Sequence, residues 1–256
     1  MFSRSSLARL SRNRTRSTGA TLTAPLSSSD LPALNSANVK AADALAHERF
    51  GIEVDWLMEA AGWQVARFCQ GRTVVACGVG NNAGDGLAAA RHLHRWGRLA
   101  SVACVDPGRL RGPAAKELEA LRKLGIDVTG TLLFENAEVV LDAIFGTGIS
   151  RAPEGHFATW IDAINESPAR VVSIDVPSGL DADTGVAYAP TVKAHTTITL
   201  GLPKVGLLKA DGPRLAGEVW VADIGMPLEV YAELGIEVRP TLFATHDRFR
   251  LEPPTG

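Results

Sequence analysis

The chain has 256 residues, 46% of them hydrophobic, and its formal net charge at pH 7 is −2. This length suits one large domain or two small ones, and the apolar content indicates a compact globule rather than a disordered chain. The near-neutral charge argues against nucleic acid or a membrane surface as a partner, and no apolar run is long enough to span a bilayer.

Residues 1–30 differ in composition from the rest of the chain. Five arginines stand among serines before the first acidic residue, Asp30: Arg4, Arg9, Arg12, Arg14 and Arg16. This pattern is typical of a mitochondrial transit peptide. The sparse apolar positions favour instead a disordered leader or a misassigned start, so we expect a cytoplasmic protein, with a mitochondrial location as the alternative. The proline-containing tail, 251–256, is expected to be frayed.

Residues 31–250 alternate between helical periodicity and short apolar runs. Helices are predicted at 36–46, 54–68, 86–96, 113–124 and 157–166. Strands are predicted at 73–77, 100–105, 139–144, 171–176, 196–200 and 219–224, with a further short strand near 126–128. Apolar strands separated by helices indicate a parallel sheet covered on both faces. The sequence therefore predicts a single α/β domain, a doubly wound Rossmann-like three-layer α/β/α sandwich with a mostly parallel central sheet.

The segment 74–87, VVACGVGNNAGDGL, has the layout of a nucleotide-phosphate site, in which a strand runs into a glycine-rich turn and then into a helix. Two asparagines and an aspartate replace the small spacers of an ordinary dinucleotide fingerprint. Their side chains are therefore expected to contact a ligand. For Asp85 alone, a helix cap and a ligand contact are equally good interpretations.

Ligands of doubly wound sheets bind beyond the carboxyl ends of the strands, where the strand order reverses. The usual order places strand 73–77 beside 139–144, with 171–176 next along. The side chains of Asn82, Asp142 and Ser178 would then converge. One carboxylate among neutral oxygens suits a hard, weakly charged cation, although a hydrogen-bonded network without an ion is an alternative.

Asp142 interrupts the apolar run VVLDAIF, where an ionised group is costly unless it is paired or coordinated. Asp175 repeats this pattern at the end of another strand. The glycine-containing loop 146–151 follows the first of these strands and can offer backbone N–H groups to an anion, with Arg151 adding charge. Lys204 lies near a further strand end, where a site residue and an exposed loop lysine are both plausible.

Five segments occur in order: GVGNNAGDGLAAARHL, VVLDAIFGTG, VVSIDVPSGLDADTG, TITLGLPKVGLL and VADIGMP. Together they resemble the YjeF N-terminal domain family, the NAD(P)H-hydrate epimerases, over roughly 39–226. The upstream segment LMEAAG resembles that family's lead-in helix. Two departures are Ala83, where glycine is common, and Val79, where proline is frequent.

The resemblance implies an isomerase that interconverts the R and S forms of hydrated NADH and NADPH at C6 of the nicotinamide ring. This repair reaction feeds an ADP- or ATP-dependent dehydratase. It also implies a homodimer, for which the exposed face of helix 54–68 is the expected contact. No downstream dehydratase region is present in the sequence, which suggests a stand-alone epimerase or an excised half.

The resemblance also assigns site residues. One potassium ion per subunit would be held by Asn82, Asp142 and Ser178. Independently of the resemblance, Asp142 at its buried strand end is the first candidate for the catalytic proton-transfer residue, and Lys204 is the second. The substrate, hydrated NADH or NADPH, would contact Asn81, Asn82, Ala83, Gly84, Asp85, Gly146, Thr147, Gly148, Ile149, Ser150, Arg151, Ala152 and Asp175.

Two other functions are compatible with the sequence. A dinucleotide-dependent oxidoreductase would need an acidic residue after the second strand to hold a ribose, and Asp106 occupies that position. A non-catalytic nucleotide-binding or scaffold module would be expected to have degenerate loops, whereas the loops here are intact.

Overall fold

The computed structural model describes residues 25–28 and 31–252. The helices are α1 (Ser36–Phe50), α2 (Val54–Ala66), α3 (Asn81–Arg95), α4 (Gly112–Lys123), α5 (His156–Glu166), α6 (Gly212–Leu215) and α7 (Leu228–Glu233). The strands are β1 (Leu26–Ser27), β2 (Thr73–Cys77), β3 (Leu99–Cys104), β4 (Val128–Thr129), β5 (Val139–Ala143), β6 (Arg170–Ile174), β7 (Thr196–Leu200), β8 (Glu218–Ala222) and β9 (Arg248–Glu252).

The strands form one sheet in the order β1-β9-β8-β7-β6-β5-β2-β3-β4. Every neighbouring pair is parallel except β8 and β9. From β2 the chain builds β3 and β4 on one side, then returns to place β5, β6, β7 and β8 on the other. The strand order therefore reverses between β2 and β5, and the predicted neighbours of the first strand are confirmed.

The two faces of the sheet are covered by different helices. Alternate strand residues such as Val75 and Leu141 pack with α2, α3 and α4, whereas Ala76 and Val140 point the other way and pack with α5. This alternation is what a strand buried on both sides produces. The predicted three-layer α/β/α architecture is confirmed.

Helix α3 begins at Asn81, five residues before the predicted start, so the predicted glycine-rich turn is its first helical turn. Gly84 and Gly86 are required by close packing instead of by a turn. A Cβ on Gly86 would lie 2.5 Å from the Cβ of Ala143 in β5, and one on Gly84 would lie 2.5 Å from Met58 in α2. The helix thus lies directly against both the sheet and α2.

The two ends of the described chain meet at the sheet edge. Leu26 in β1 pairs with Leu251 in β9, and Leu251 is buried. The predicted boundaries, a leader through residue 30 and a frayed tail from 251, are therefore wrong at these positions. The remainder of the predicted leader, 1–24 and 29–30, and of the tail, 253–256, lies outside the described residues. Within the described ranges, no helix is long and apolar enough to cross a membrane.

The packing of α3 on the sheet predicts that Gly86→Ala destabilises the fold. The new Cβ would meet Ala143 at 2.5 Å, and both groups are fixed to their backbones. We expect the free energy of unfolding to fall by about 1–3 kcal/mol, measured by chemical denaturation. Gly130→Ala is the matched control, because its Cβ would meet no atom within 4 Å. Equal stability of the two variants would contradict the close packing.

Candidate active site

A cavity of about 180 Å³ lies at the carboxyl ends of β2, β5, β6 and β7, where the strand order reverses. Helix α2 contributes the apolar side chains Leu57 and Met58 to its wall. Besides Tyr231 of α7, the polar side chains come from α1, the first five residues of α3 and the loops after β5, β6 and β7. These others are Asp43, Asn81, Asn82, Asp85, Thr147, Asp175 and Lys204.

Asp142, in β5 beside this cavity, is fully buried and is held by four hydrogen bonds. Its Oδ1 accepts from Ser178 Oγ at 2.5 Å and from the N–H of Ile144 at 3.3 Å. Its Oδ2 accepts from Ser173 Oγ at 2.8 Å and from the N–H of Ser178 at 2.9 Å. Burial raises the pKa of Asp142 above its ordinary value, and the hydrogen bonds from Ser178 oppose this rise. Asp142 does not line the cavity.

Ser178 links Asp142 to the start of the loop after β5. Its hydroxyl oxygen accepts from the N–H of Phe145 at 2.9 Å and lies 3.3 Å from the carbonyl oxygen of Phe145. Asn82 packs on the next residue, because a Cβ on Gly146 would lie 3.4 Å from Asn82 Oδ1. The Nδ2 of Asn82 is buried without a hydrogen-bond partner among the described residues. The three predicted ion-binding residues therefore meet around Phe145 and Gly146.

Asp175 follows β6 and has a left-handed backbone conformation, with φ of 67°. Its Oδ1 lies 2.5 Å from Lys204 Nζ and accepts from the N–H of Leu200 at 3.1 Å and from Thr199 Oγ1 at 3.3 Å. A non-glycine residue in this conformation is strained, and such strain is common at functional sites. The carboxylate is thus held at the cavity wall by its surroundings.

Lys204 is 2% exposed, so its interpretation as an exposed loop lysine is wrong. Besides Asp175, its ammonium donates to the carbonyl oxygens of Leu200 at 2.7 Å and Leu202 at 3.1 Å. The backbone at Lys204 is fixed by a parallel bridge to Leu34, just before α1. The ammonium is therefore directed at Asp175 from a rigid position.

Asp85 lies in the cavity wall as the fifth residue of α3, too far along the helix to be its cap. The N-cap is Gly80, and no side chain makes the cap hydrogen bond. The capping interpretation of Asp85 is therefore wrong. Burial raises the pKa of Asp85 well above its ordinary value, and the neighbouring carboxylates of Asp175 and Asp43 raise it further.

Asp43 is a cavity residue that sequence analysis missed. It lies in α1, and burial raises its pKa while Lys204 opposes this rise. The sequence did contain a signal for it. Asp43 lies on the same helix face as Val39, Ala42 and Ala46, and a carboxylate on an apolar face indicates a site residue.

The predicted substrate loop 146–152 divides between two places. Gly146 and Thr147 line the main cavity. The remaining predicted residues, Gly148, Ile149, Ser150, Arg151 and Ala152, line a neighbouring cleft of about 540 Å³ that also includes Val79 and Arg109.

Asp106, the residue that an oxidoreductase would use for the ribose, accepts a hydrogen bond from the N–H of Gly108 at 3.1 Å. It thereby caps a short 3-10 helix, Pro107–Arg109, and does not line the main cavity. This position does not favour the oxidoreductase interpretation.

The chain is similar to a family of known proteins over most of its length. Residues 54–206 match the family described as YjeF-related protein N-terminus. The NAD(P)H-hydrate epimerase of Rhodopirellula baltica is 34% identical over 218 residues, which cover 80% of this chain and 89% of that protein. The NAD(P)H-hydrate epimerase of Levilactobacillus brevis is 38% identical over 213 residues, covering 80% and 97%.

Longer relatives match through part of their length. The bifunctional NAD(P)H-hydrate repair enzyme Nnr of Thermofilum pendens is 38% identical over 232 residues, and the match spans 84% of this chain but only 43% of that protein. Among solved structures, that of yeast ynu0 superposes with a TM-score of 0.72 at 22% identity, covering 86% of this chain and all of that one. This superposition supports the fold.

The contacts of Asp142 predict that Asp142→Asn lowers stability. Asparagine keeps one acceptor oxygen, but its NH₂ group would take the place of Oδ2. That group cannot accept the hydrogen bonds that Ser173 Oγ and the N–H of Ser178 donate there. We expect the free energy of unfolding to fall by about 2–4 kcal/mol, measured by chemical denaturation. The same change at the exposed Asp127 is the control and should cost less than about 0.5 kcal/mol. A stable Asp142→Asn variant would contradict the structural role.

Proposed function

The chain belongs to the family of YjeF-related protein N-termini, and from this membership we propose that it is an isomerase that interconverts the R and S forms of hydrated NADH and NADPH. The proposal rests above all on one observation. The family motifs come together in a cavity at the reversal of strand order, with Asp175 and Lys204 paired in its wall. The match to nearly the whole length of two proteins named NAD(P)H-hydrate epimerase supports the same activity.

The reaction inverts C6 of the reduced nicotinamide ring, which carries a hydroxyl next to the ring nitrogen. The hydroxyl must leave with the help of the nitrogen lone pair, and water must return on the opposite face. The ring is cationic between these steps, and carboxylates suit both its stabilisation and the proton transfers. The wall of the cavity supplies such groups in Asp43, Asp85 and Asp175.

The predicted substrate contacts fit the parts of a dinucleotide. Helix α3 begins at Asn81 beside the cavity, and the N-terminus of a helix favours an anion such as the pyrophosphate. The loop from Gly146 leads from the cavity to the neighbouring cleft. Arg109 and Arg151 line this cleft, and their positive charges suit a second anionic or polar part of the substrate. We therefore retain residues 81–85, 146–152 and Asp175 as proposed substrate contacts.

Asp142 is better supported as a positioning residue than as the catalytic carboxylate. Both of its oxygens accept two hydrogen bonds from the protein, and its side chain is fully buried. It orients Ser178 and the start of the loop after β5.

We further propose that Asn82, Asp142 and Ser178 hold one potassium ion per subunit. Their chemistry fits, since one carboxylate among neutral oxygens suits a monovalent cation. The amide oxygen of Asn82 lies beside Gly146, and the hydroxyl of Ser178 lies 3.3 Å from the carbonyl oxygen of Phe145, so neutral oxygens are available as ligands. When bound, the ion would supply a fixed positive charge beside the loop that contacts the anionic substrate.

Family membership also leads us to propose partners for this protein. The bifunctional relatives suggest a functional link to a dehydratase of the same hydrates. Helix α2 carries two exposed tryptophans, Trp56 and Trp63, which suits the proposed homodimer contact on this helix. The cytoplasmic location, with the mitochondrial alternative, stays a prediction.

The activity can be tested with one purified epimer of hydrated NADH or NADPH, by following the other epimer by chromatography. We expect the protein to accelerate interconversion above the spontaneous rate. Lys204→Met should reduce the acceleration by about 10²-fold or more, because Asp175 loses its ammonium partner.

Lys209→Met is the matched control, since Lys209 is an exposed lysine in the same segment. Binding of the hydrate without acceleration would favour a scaffold module instead. Hydride transfer to an added acceptor, followed by absorbance, would favour the oxidoreductase.

The potassium proposal predicts ion-specific stabilisation that needs no activity assay. Potassium at ten times its dissociation constant should raise the melting temperature by roughly 3–6 °C relative to lithium at equal ionic strength. Asn82→Ala should abolish this difference, and Asn38→Ala, outside the cavity, should keep it. Equal melting temperatures of the unmodified protein in both salts would contradict the ion site.

A further inference from the structure

Two carboxyl groups line the same cavity in opposite surroundings. We propose that Asp85 is the general acid that protonates the leaving C6 hydroxyl, and that Asp175 is the ionised carboxylate that stabilises the cationic ring and accepts the proton of the incoming water. This inference rests on the proposed epimerase function and assigns the proton transfers within it.

Three donor groups converge on one oxygen of Asp175. Its Oδ1 receives the ammonium of Lys204, the N–H of Leu200 and the hydroxyl of Thr199. Hydrogen bonds and an opposite charge directed at a carboxylate stabilise the ionised state. Its Oδ2 has no hydrogen-bond partner among the described residues and remains available to a ligand at the cavity wall.

The surroundings of Asp85 favour its neutral form. Neither of its oxygens receives a hydrogen bond from the residues that the structure describes, and the apolar side chains of Leu57 and Met58 share its wall. Ionisation there would place a charge in a poorly solvated site, so burial raises the pKa of Asp85 well above its ordinary value.

Four charged side chains act on Asp85. Asp175, Asp43 in α1 and Glu117 in α4 add negative charge and favour a protonated Asp85, while Lys204 opposes them. The ammonium of Lys204 is already committed to Asp175 and to two carbonyl oxygens. Two carboxyl groups with separated protonation states in one site are the usual arrangement for an acid and a base.

The proton and electron balance is complete with these two groups. Asp85 gives its proton to the C6 hydroxyl. The C6–O bond then breaks, its electron pair stays on the oxygen, and the oxygen departs as water. At the same time the nitrogen lone pair forms the N1–C6 double bond. A water then adds to the opposite face of C6 and gives a proton to Asp175, while the double-bond electrons return to nitrogen. Transfer of that proton through solvent from Asp175 to Asp85 restores the starting state.

The two earlier candidates are less suited to these steps. Asp142 is fully buried, accepts four hydrogen bonds from the protein and does not line the cavity. The ammonium of Lys204 contacts three oxygen acceptors, so its role is to hold Asp175 in place.

Asp85→Asn tests the assignment, because asparagine keeps the shape and polarity of the neutral acid but cannot supply the proton. We expect kcat for epimerisation to fall by about 10²–10⁴-fold with KM within about threefold, after subtraction of the spontaneous rate. The kcat of the unmodified protein should decline toward alkaline pH as Asp85 loses its proton, and the variant should lack this decline.

Asp85→Glu should recover part of the rate, and Asp127→Asn, at an exposed carboxylate, is the matched control. Thermal unfolding and substrate binding establish that each variant is folded. Wild-type kcat or an unchanged alkaline decline in Asp85→Asn would overturn this assignment alone, as would a rise in KM with unchanged kcat. If the unmodified protein does not accelerate epimerisation, the proposed function falls and the assignment falls with it.

Discussion

A single buried carboxylate, Asp142, sets the geometry on which the site depends. It lies in β5, the strand beside the reversal of strand order, opposite Ala76 of β2 and Ser173 of β6. Its hydrogen bonds to Ser173 and Ser178 bracket Asp175, which lies between them in the chain. Through the hydroxyl of Ser178 it also fixes Phe145, where the loop after β5 begins. One interaction thus determines where two loops enter the cavity.

The two carboxyl groups of Asp175 and Asp85 in the cavity have different surroundings. Asp175 is held in a strained conformation with an ammonium and two further donors on one oxygen. Asp85 lacks donors of this kind among the described residues and shares its wall with apolar side chains. The same cavity therefore offers an ammonium and two further donors to the carboxyl group of Asp175 and none to that of Asp85, whose pKa burial raises.

Much of this architecture could be predicted from the sequence, because it follows from periodicity and strand order. Apolar runs located β2 and β7 at their observed bounds, and the reversal between β2 and β5 follows from the usual topology of such sheets. The approach of Asn82, Asp142 and Ser178 follows in turn, since all three come at or after the carboxyl ends of neighbouring strands.

The remaining features depend on contacts between distant parts of the chain. Glycines in a turn and glycines under a closely packed helix look alike in sequence, so the start of α3 was misplaced. Asp43 joins the site only because α1 packs over the sheet end. The pairing of Leu26 with Leu251 joins residues near the two ends of the described part of the chain, which no local pattern indicates. The burial of Lys204 likewise depends on its bridge to Leu34.

The proposed mechanism requires that one cavity holds Asp85 as a neutral acid beside the carboxylate of Asp175. Carbon-13 NMR of protein labelled at the aspartate side-chain carboxyl carbons reports this directly, with Asp85→Asn and Asp175→Asn used to assign the two signals. At neutral pH we predict that the Asp85 signal has the chemical shift of a protonated carboxyl and that the Asp175 signal has that of a carboxylate. Two signals at the carboxylate position would contradict the account.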